Sequence, residues 1–186
     1  MPLLTPGTLN TLFFDAIAQY NRPQAMQYKH NGAYTPISHG EIERRVRHVA
    51  LGMAAAGAKP GDRVAILSEN RPEWAIADYA CLTSGVTDVP LYPSLPADQL
   101  PYLLNDAGAM AIFVSTAGQA AKIAEIRSHV PALKMVCAFD GKFPGVDCTF
   151  AELESRGAAA DSADATAAYR AQALKVRPED LATVIY

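Results

Sequence analysis

The sequence predicts an α/β fold, a mostly parallel sheet flanked by helices, and three observations carry that prediction. From Arg63 onward, short apolar runs alternate with helical stretches of about 10–15 residues, the pattern of strand–helix–strand crossover units. The runs are apolar throughout, as strands buried on both faces can be. Half of the 186 residues are hydrophobic and 19% are charged, which supplies the core of one large domain, or one and part of another.

The elements follow in order. TLNTLFFDAIAQY places Leu9, Leu12, Phe13, Ile17 and Tyr20 at helical spacing, and AMQYKHNGAYTPIS is a hairpin that turns at Asn31-Gly32. Ser38 caps the next helix, Glu41 closes a capping box, and Ile37 staples onto Ile42. Ile42, Val46, Val49 and Met53 form its apolar stripe, and Gly57 stops it. KPGD is a type II turn before the strand RVAIL. Asn70 is expected to cap the helix RPEWAIADYACLTS, with Pro72 in its first turn, Glu73 at the positive end of its dipole, and Gly85 after it. The strand TDVPLY, the helix ADQLPYLLNDA, the strand AMAIFVS, the helix GQAAKIAEIRSHV and the strand LKMVCAF come next. An alanine-rich helical stretch from about Phe150 to Leu174 and a polar RPED turn lead to LATVIY, read as a last buried strand.

Two residues break these local patterns. Pro101 falls inside a helix, where its missing donor should kink or delay the helix. Asp88 falls inside an apolar strand, so it needs either a partner or a place at the strand's exposed end.

Motifs that carry chemistry are absent. No two glycines are one residue apart, GKF at Gly141 lacks the rest of a Walker loop, and there is no HExxH, CxxC or GxSxG. The four histidines lack ligand spacing, and His30 and His48 read as surface or capping residues. Arg44, Arg45, Arg47 and His48 fall opposite the apolar stripe of their helix, with Glu41 and Glu43 beside them. That face is expected to be solvated, because phosphate is better held at a helix N-terminus. Trp74 is expected to pack in the core, beneath RVAIL. For Tyr92, a ligand, a partner subunit and a simple loop hydrogen bond all remain open.

The net charge of −3 carries no polyanion signature and argues against a nucleic-acid partner. Cys81, Cys137 and Cys148 read as buried thiols of a reducing compartment. The start MPLLTPGTLN lacks signal-peptide character and no apolar run is long enough to span a bilayer, so the expected location is cytoplasmic.

Taken together, ISHGEIERRVRHVALGMAAAGAKPGDRVAILSENRPEWAIADYACLTSG and VPLYPSLPADQLPYLLNDAGA resemble the start of the long-chain acyl-CoA synthetases of the adenylate-forming superfamily. The resemblance runs from about Thr8 to Tyr186 and is densest from Ser38 to Ser115. GDRVAIL recurs across the superfamily, whereas SENRPEW with PLYPSLP points to the long-chain branch. It implies that residues 1–186 are the truncated N-terminal lobe of an AMP-binding domain, cut before a Ser/Thr/Gly-rich loop that cradles ATP phosphates. The parent would convert fatty acid, ATP and CoA, with Mg2+, to acyl-CoA through an acyl-adenylate. The fragment itself is expected to be inactive and to bind none of these cofactors. No catalytic, cofactor-binding or metal residue is carried over, since the family's positions lie beyond Tyr186. Asp88 departs from the family, which usually has an uncharged residue there. Homodimerisation through this lobe and peripheral membrane contact are further partner expectations, although no amphipathic segment demands the latter. The alternatives are a stand-alone flavodoxin-like binding module and an oligomerisation lobe.

Overall fold

A computed structural model describes residues 7–186, so most of the start read above for targeting lies outside the described residues. Its centre is a five-stranded, wholly parallel sheet of β3 (Arg63–Leu67), β4 (Thr87–Leu91), β5 (Ala111–Val114), β6 (Met135–Ala138) and β7 (Cys148–Thr149), in the order β4-β3-β5-β6-β7. Successive strand residues point to opposite faces. Val64, Ile66, Phe113 and Cys137 enter one core, and Ala65, Leu67, Ile112 and Val136 enter the other. The first face carries α1 (Leu9–Tyr20), α2 (His39–Ala55), α3 (Pro72–Thr83), α6 (Phe150–Ala160) and α7 (Ala163–Ala173). The second carries α4 (Leu100–Ala107) and α5 (Ala117–Ile126). Covered on both sides, the strands have no use for polar alternation. β1 (Met26–His30) and β2 (Ala33–Ile37) form a separate hairpin. Its turn residues Asn31 and Gly32 both have positive φ, at 49° and 82°.

Several elements depart from the expectations. In α1 the inward face is Asn10, Phe13 and Phe14, while Leu9 and Leu12 are exposed. Asn10 is buried because its Nδ2 donates to the Leu82 and Ala173 carbonyls, both at 2.9 Å. At α2 the box is half formed: Ser38 accepts from the Glu41 N–H at 3.1 Å, but the Glu41 carboxylate turns to Arg44. The complete box closes at Thr149 and Glu152 instead. Arg71, not Asn70, is the N-cap of α3, because Pro72 suits the first helical position and fixes the boundary. Pro101 delays its helix without kinking it: residues Ala97–Gln99 form a 3-10 turn, and Pro101 lies in the first α-helical turn. The stretch from Phe150 divides into α6 and α7 at Asp161-Ser162, where Ser162 caps the second helix. β7 is an unexpected fifth strand.

On the basic face of α2 only Arg44 is solvated as expected; the side of Arg45, Arg47 and His48 is covered. α6 and α7 fold back over it. The Arg45 Nε donates to Glu154 at 2.8 Å, and Arg47 and His48 both meet Asp161, at 2.9 and 3.0 Å. His48 is buried, and Arg45 and Arg47 are mostly covered. These partners lie more than 100 residues away in sequence, beyond the reach of any local helical pattern. Two glycines permit the approach. A Cβ on Gly157 would stand 1.7 Å from the His48 carbonyl oxygen, and one on Gly52 would stand 2.3 Å from that of Leu153. α2 and α6 therefore cross backbone to backbone.

LATVIY is not a buried strand. It touches the sheet through one parallel bridge, Asp88 to Thr183, at the free edge of β4. Leu181 and Ile185 are 58% and 70% exposed, since neither face of the segment is covered as the inner strands are.

Candidate functional site

In an open parallel sheet, ligands bind beyond the carboxyl ends of the strands, where the connections diverge to opposite faces. Here that switch point lies between β3 and β5, with α3 leaving on one side and α5 on the other. The chain fills this crevice with its own side chains. Glu69, just past β3, accepts a short hydrogen bond from the buried Ser115 hydroxyl at the end of β5, and another from Gln119 Nε2 at 3.2 Å. The Ser115 bond is the chief cause that holds the Glu69 carboxyl below its ordinary range, so the crevice carries a negative charge. Gln119 also donates to the Pro93 carbonyl at 3.0 Å, and the Lys122 ammonium donates to the carbonyls of Pro93 and Leu95. These bonds tie the loop after β4 to α5. None of these residues stands out in the sequence beforehand. The available signal was a carboxylate and a serine just past two strands that only the fold makes neighbours.

SENRPEW is used structurally. Arg71 forks onto Asp140 at 2.9 and 2.6 Å, donates to Glu73 at 2.7 Å, and lies over the Phe139 ring at 5.4 Å. It thereby ties the end of β6 to the start of α3. Asp140 is the main cause of its raised pKa. Trp74 is half-buried against the core of the α1–α2–α3 face, as expected. Tyr92, 67% exposed, borders a groove of about 480 Å3 with Leu91, Tyr102, Leu103 and Tyr186. The Tyr186 hydroxyl donates to Asp106 at 2.7 Å.

Asp88 is 2% exposed and has the partner the sequence demanded: the Thr183 hydroxyl donates to its Oδ2 at 3.2 Å. A cavity of about 890 Å3 opens at the amino end of the sheet, between the start of α1 and residues 172–182. Its lining includes Leu9, Leu12, Arg63, Lys175 and Leu181. Two of the four histidines serve the fold: His48 pairs with Asp161, and His39 Nδ1 accepts the Arg22 N–H at 3.0 Å. All three cysteines are free and buried. Among the described residues, no group of three or more His, Cys, Asp or Glu side chains is placed to hold a metal ion, and no helix is long and apolar enough to cross a membrane.

The edge of this sheet is thus rich in paired charges and poor in groups that would receive phosphate. Residues 13–186 match the family of AMP-binding enzymes. A long-chain-fatty-acid–CoA ligase of Mycobacterium tuberculosis is 36% identical over 156 residues, which make up 84% of this chain and 25% of that protein. A feruloyl-CoA synthase of an Amycolatopsis species is 35% identical over 122 residues, covering 63% and 24% of the two chains. The chain therefore spans about a quarter of the length of such relatives. In fold, it resembles the crystal structure of a long-chain-fatty-acid–CoA ligase from Archaeoglobus fulgidus, with a TM-score of 0.76 at 19% identity over 99% of this chain and 35% of that one. A luciferase from Phrixothrix hirtus gives a TM-score of 0.76 at 22% identity, over 98% and 34%.

Proposed function

The chain belongs to the AMP-binding enzyme family, and on that premise we propose that residues 1–186 are the N-terminal lobe of an ATP-dependent long-chain fatty acid–CoA ligase. The parent joins a fatty carboxylate to the α-phosphate of ATP, releases pyrophosphate, and then passes the acyl group from AMP to the CoA thiol. The observation that carries this reading is the 36% identity with the mycobacterial ligase over 84% of the chain. SENRPEW with PLYPSLP supports the long-chain branch.

The lobe's own residues do not fit ATP, Mg2+ or CoA. Its switch-point crevice presents the Glu69 carboxylate, and its neighbouring cations Arg71 and Lys122 are committed to Asp140, Glu73 and backbone carbonyls. A phosphate entering there meets the like charge of Glu69 and two cations already paired elsewhere. No step of the reaction is assigned to a residue of this chain. Its part is to hold the edge segment 181–186 against a rigid sheet, so that whatever follows is anchored. The same filled crevice counts against a stand-alone flavodoxin-like module. Exposed Leu9, Leu12, Leu181 and Ile185 support an apolar edge that is covered in a larger assembly, and self-association of the chain on its own. The three free thiols support a cytoplasmic setting.

Acyl-dependent exchange of pyrophosphate into ATP tests the proposal. The 186-residue chain should show none, while the product of the reading frame carried past Tyr186 should show it with long-chain acids. Exchange by the 186-residue chain overturns the scaffold role. A stop codon directly after Tyr186, or a longer product that activates no carboxylate, overturns the ligase reading.

A further inference from the structure

β4 carries a half-buried proline, Pro90, between the buried Val89 and Leu91. A proline has no backbone N–H, so within a sheet it is confined to an edge, with its nitrogen turned away from the neighbouring strand. The register shows which way Pro90 faces. β4 pairs with β3 without interruption from Thr87 to Leu91. On its other side lies the segment 181–184. There the Asp88 N–H donates to the Ala182 carbonyl at 3.2 Å, and the Val184 N–H donates to the Asp88 carbonyl at 3.0 Å. Both backbone groups of Asp88 thus face the segment. Along a strand every second residue faces the same neighbour, so the nitrogen of Pro90 faces the segment as well.

That nitrogen stands where the next bond should form. Continued pairing would have residue 90 donate to the Val184 carbonyl and accept from the Tyr186 N–H, the Asp88 pattern moved two residues on. Pro90 has nothing to donate, and its ring occupies the place of the missing hydrogen. The pairing stops there. The segment's bridge joins Asp88 to Thr183, and among the described residues no backbone hydrogen bond joins Pro90 to residues 184–186. Yet the chain is still close by: Tyr186 borders one groove with Pro90, Leu91 and Tyr92.

The segment's own sequence gives no reason to stop, because Val184, Ile185 and Tyr186 are all residues that favour strands. The stop lies in β4. We propose that Pro90 is a positioning residue: it ends the pairing of the segment after Val184 and so sets where the chain leaves the sheet. With a donor at position 90 the segment would pair for two residues more, about 7 Å along β4. Whatever follows Tyr186 would then start from a different place. That consequence for catalysis rests on the ligase reading; the stop itself does not.

Amide hydrogen exchange of the intact 186-residue chain, followed residue by residue in NMR, tests the stop. In the wild type Val184 should be protected, while Tyr186 exchanges near its intrinsic rate. Pro90→Ala supplies the missing donor. The amide introduced at position 90 should be protected, and protection at Val184 should rise roughly fivefold, the effect of one added hydrogen bond, with Phe113 in β5 unchanged. An unprotected amide at position 90 overturns the stop, as does lower protection at Val184 and Phe113 together, the mark of a fold that has merely loosened. If the variant does not fold, the wild type decides: Tyr186 as protected as Val184 shows pairing past Pro90 and overturns the stop, and an unprotected Tyr186 sustains it. In the product carried past Tyr186, the same variant should slow acyl-dependent exchange of pyrophosphate by about tenfold or more, as a displacement far from the chemistry can. Undiminished exchange overturns the positioning role. No exchange even with Pro90 in place overturns the ligase reading and the positioning role with it, but not the stop.

Discussion

Gly157→Ala separates two effects of opposite sign. On helix propensity alone, alanine in α6 should stabilise the protein by about 1 kcal/mol. The crossing with α2 says the reverse. The new Cβ would lie 1.7 Å from the His48 carbonyl oxygen and 2.6 Å from its carbonyl carbon. This obstacle is backbone, in the middle of a helix, and no rotamer change can clear it. The helices must part by about 1.5 Å to restore even a tight contact. That movement pulls on the pairs Arg45–Glu154, Arg47–Asp161 and His48–Asp161, and loosens Leu153, which is fully buried. Overpacking of this kind costs about 1–3 kcal/mol, and stretched ion pairs add to it. The net expectation is a loss of about 2–4 kcal/mol, or roughly 5–15 °C in Tm for a chain of this length. Urea denaturation with a thermal melt measures it. A Tm equal to or above wild type would refute the backbone-to-backbone crossing.

Other outcomes follow from the same contacts. Asp161→Asn removes the acidic partner of both Arg47 and His48, so stability at neutral pH should fall by about 1–3 kcal/mol. The Arg47 hydrogen bond is the chief cause that depresses the Asp161 carboxyl to about 2, so its contribution is present above the ordinary value near 4 and lost as pH falls through 2. The variant should flatten that acid limb of the stability curve. Sedimentation of the 186-residue chain should show mass rising with concentration, and Leu181→Ser with Ile185→Ser should return it toward monomer; a wild-type monomer at high concentration removes the support for an apolar edge that needs covering.

Much of the fold was legible because local signals agreed with one another. The hairpin turn at Asn31-Gly32, the stripe Ile42–Val46–Val49–Met53 and the strand RVAIL each came from neighbours in sequence, and each stands in the structure. The failures share a cause: the deciding partner was remote. Asn10 goes inward only because two carbonyls, one from Leu82 and one from Ala173, await it. The Arg45, Arg47 and His48 side of α2 is covered only because α6 and α7 return to it. β7, two residues long, exists because Cys148 falls in register with Cys137, a pairing that two residues of sequence cannot announce. The same holds for the site, where Glu69 and Ser115 are 46 positions apart and meet at the ends of adjacent strands. Asp88 was the instructive intermediate case. Its misfit with an apolar strand predicted that a partner must exist, and burial physics was sufficient for that, but only the fold could name Thr183.

These contacts bear on where a nucleotide would lie in the proposed ligase. A sheet of order β4-β3-β5-β6 offers its natural crevice between β3 and β5, and here hydrogen bonds from Ser115 and Gln119 to the Glu69 carboxylate span it. On the far side of β4, residues 181–184 add a partial strand parallel to the rest. A parallel addition directs the chain toward the carboxyl edge, so a phosphate-binding loop that followed Tyr186 would lie beside β4 and not at the switch point. In the proposed ligase, then, Glu69, Ser115 and Gln119 tie strand ends together at the crevice that an independent nucleotide-binding domain would have used, and the Asp88–Thr183 contacts help to hold the new edge. The two networks can be separated by mutation. Glu69→Gln keeps hydrogen-bonding atoms opposite Ser115 and Gln119 and should leave exchange at Val184 as in wild type, whereas Asp88→Asn, which alters the acceptor of the Thr183 hydroxyl, should raise it. Equal effects of the two variants on Val184 would show that crevice and edge form one cooperative unit, and the separation argued here would fall.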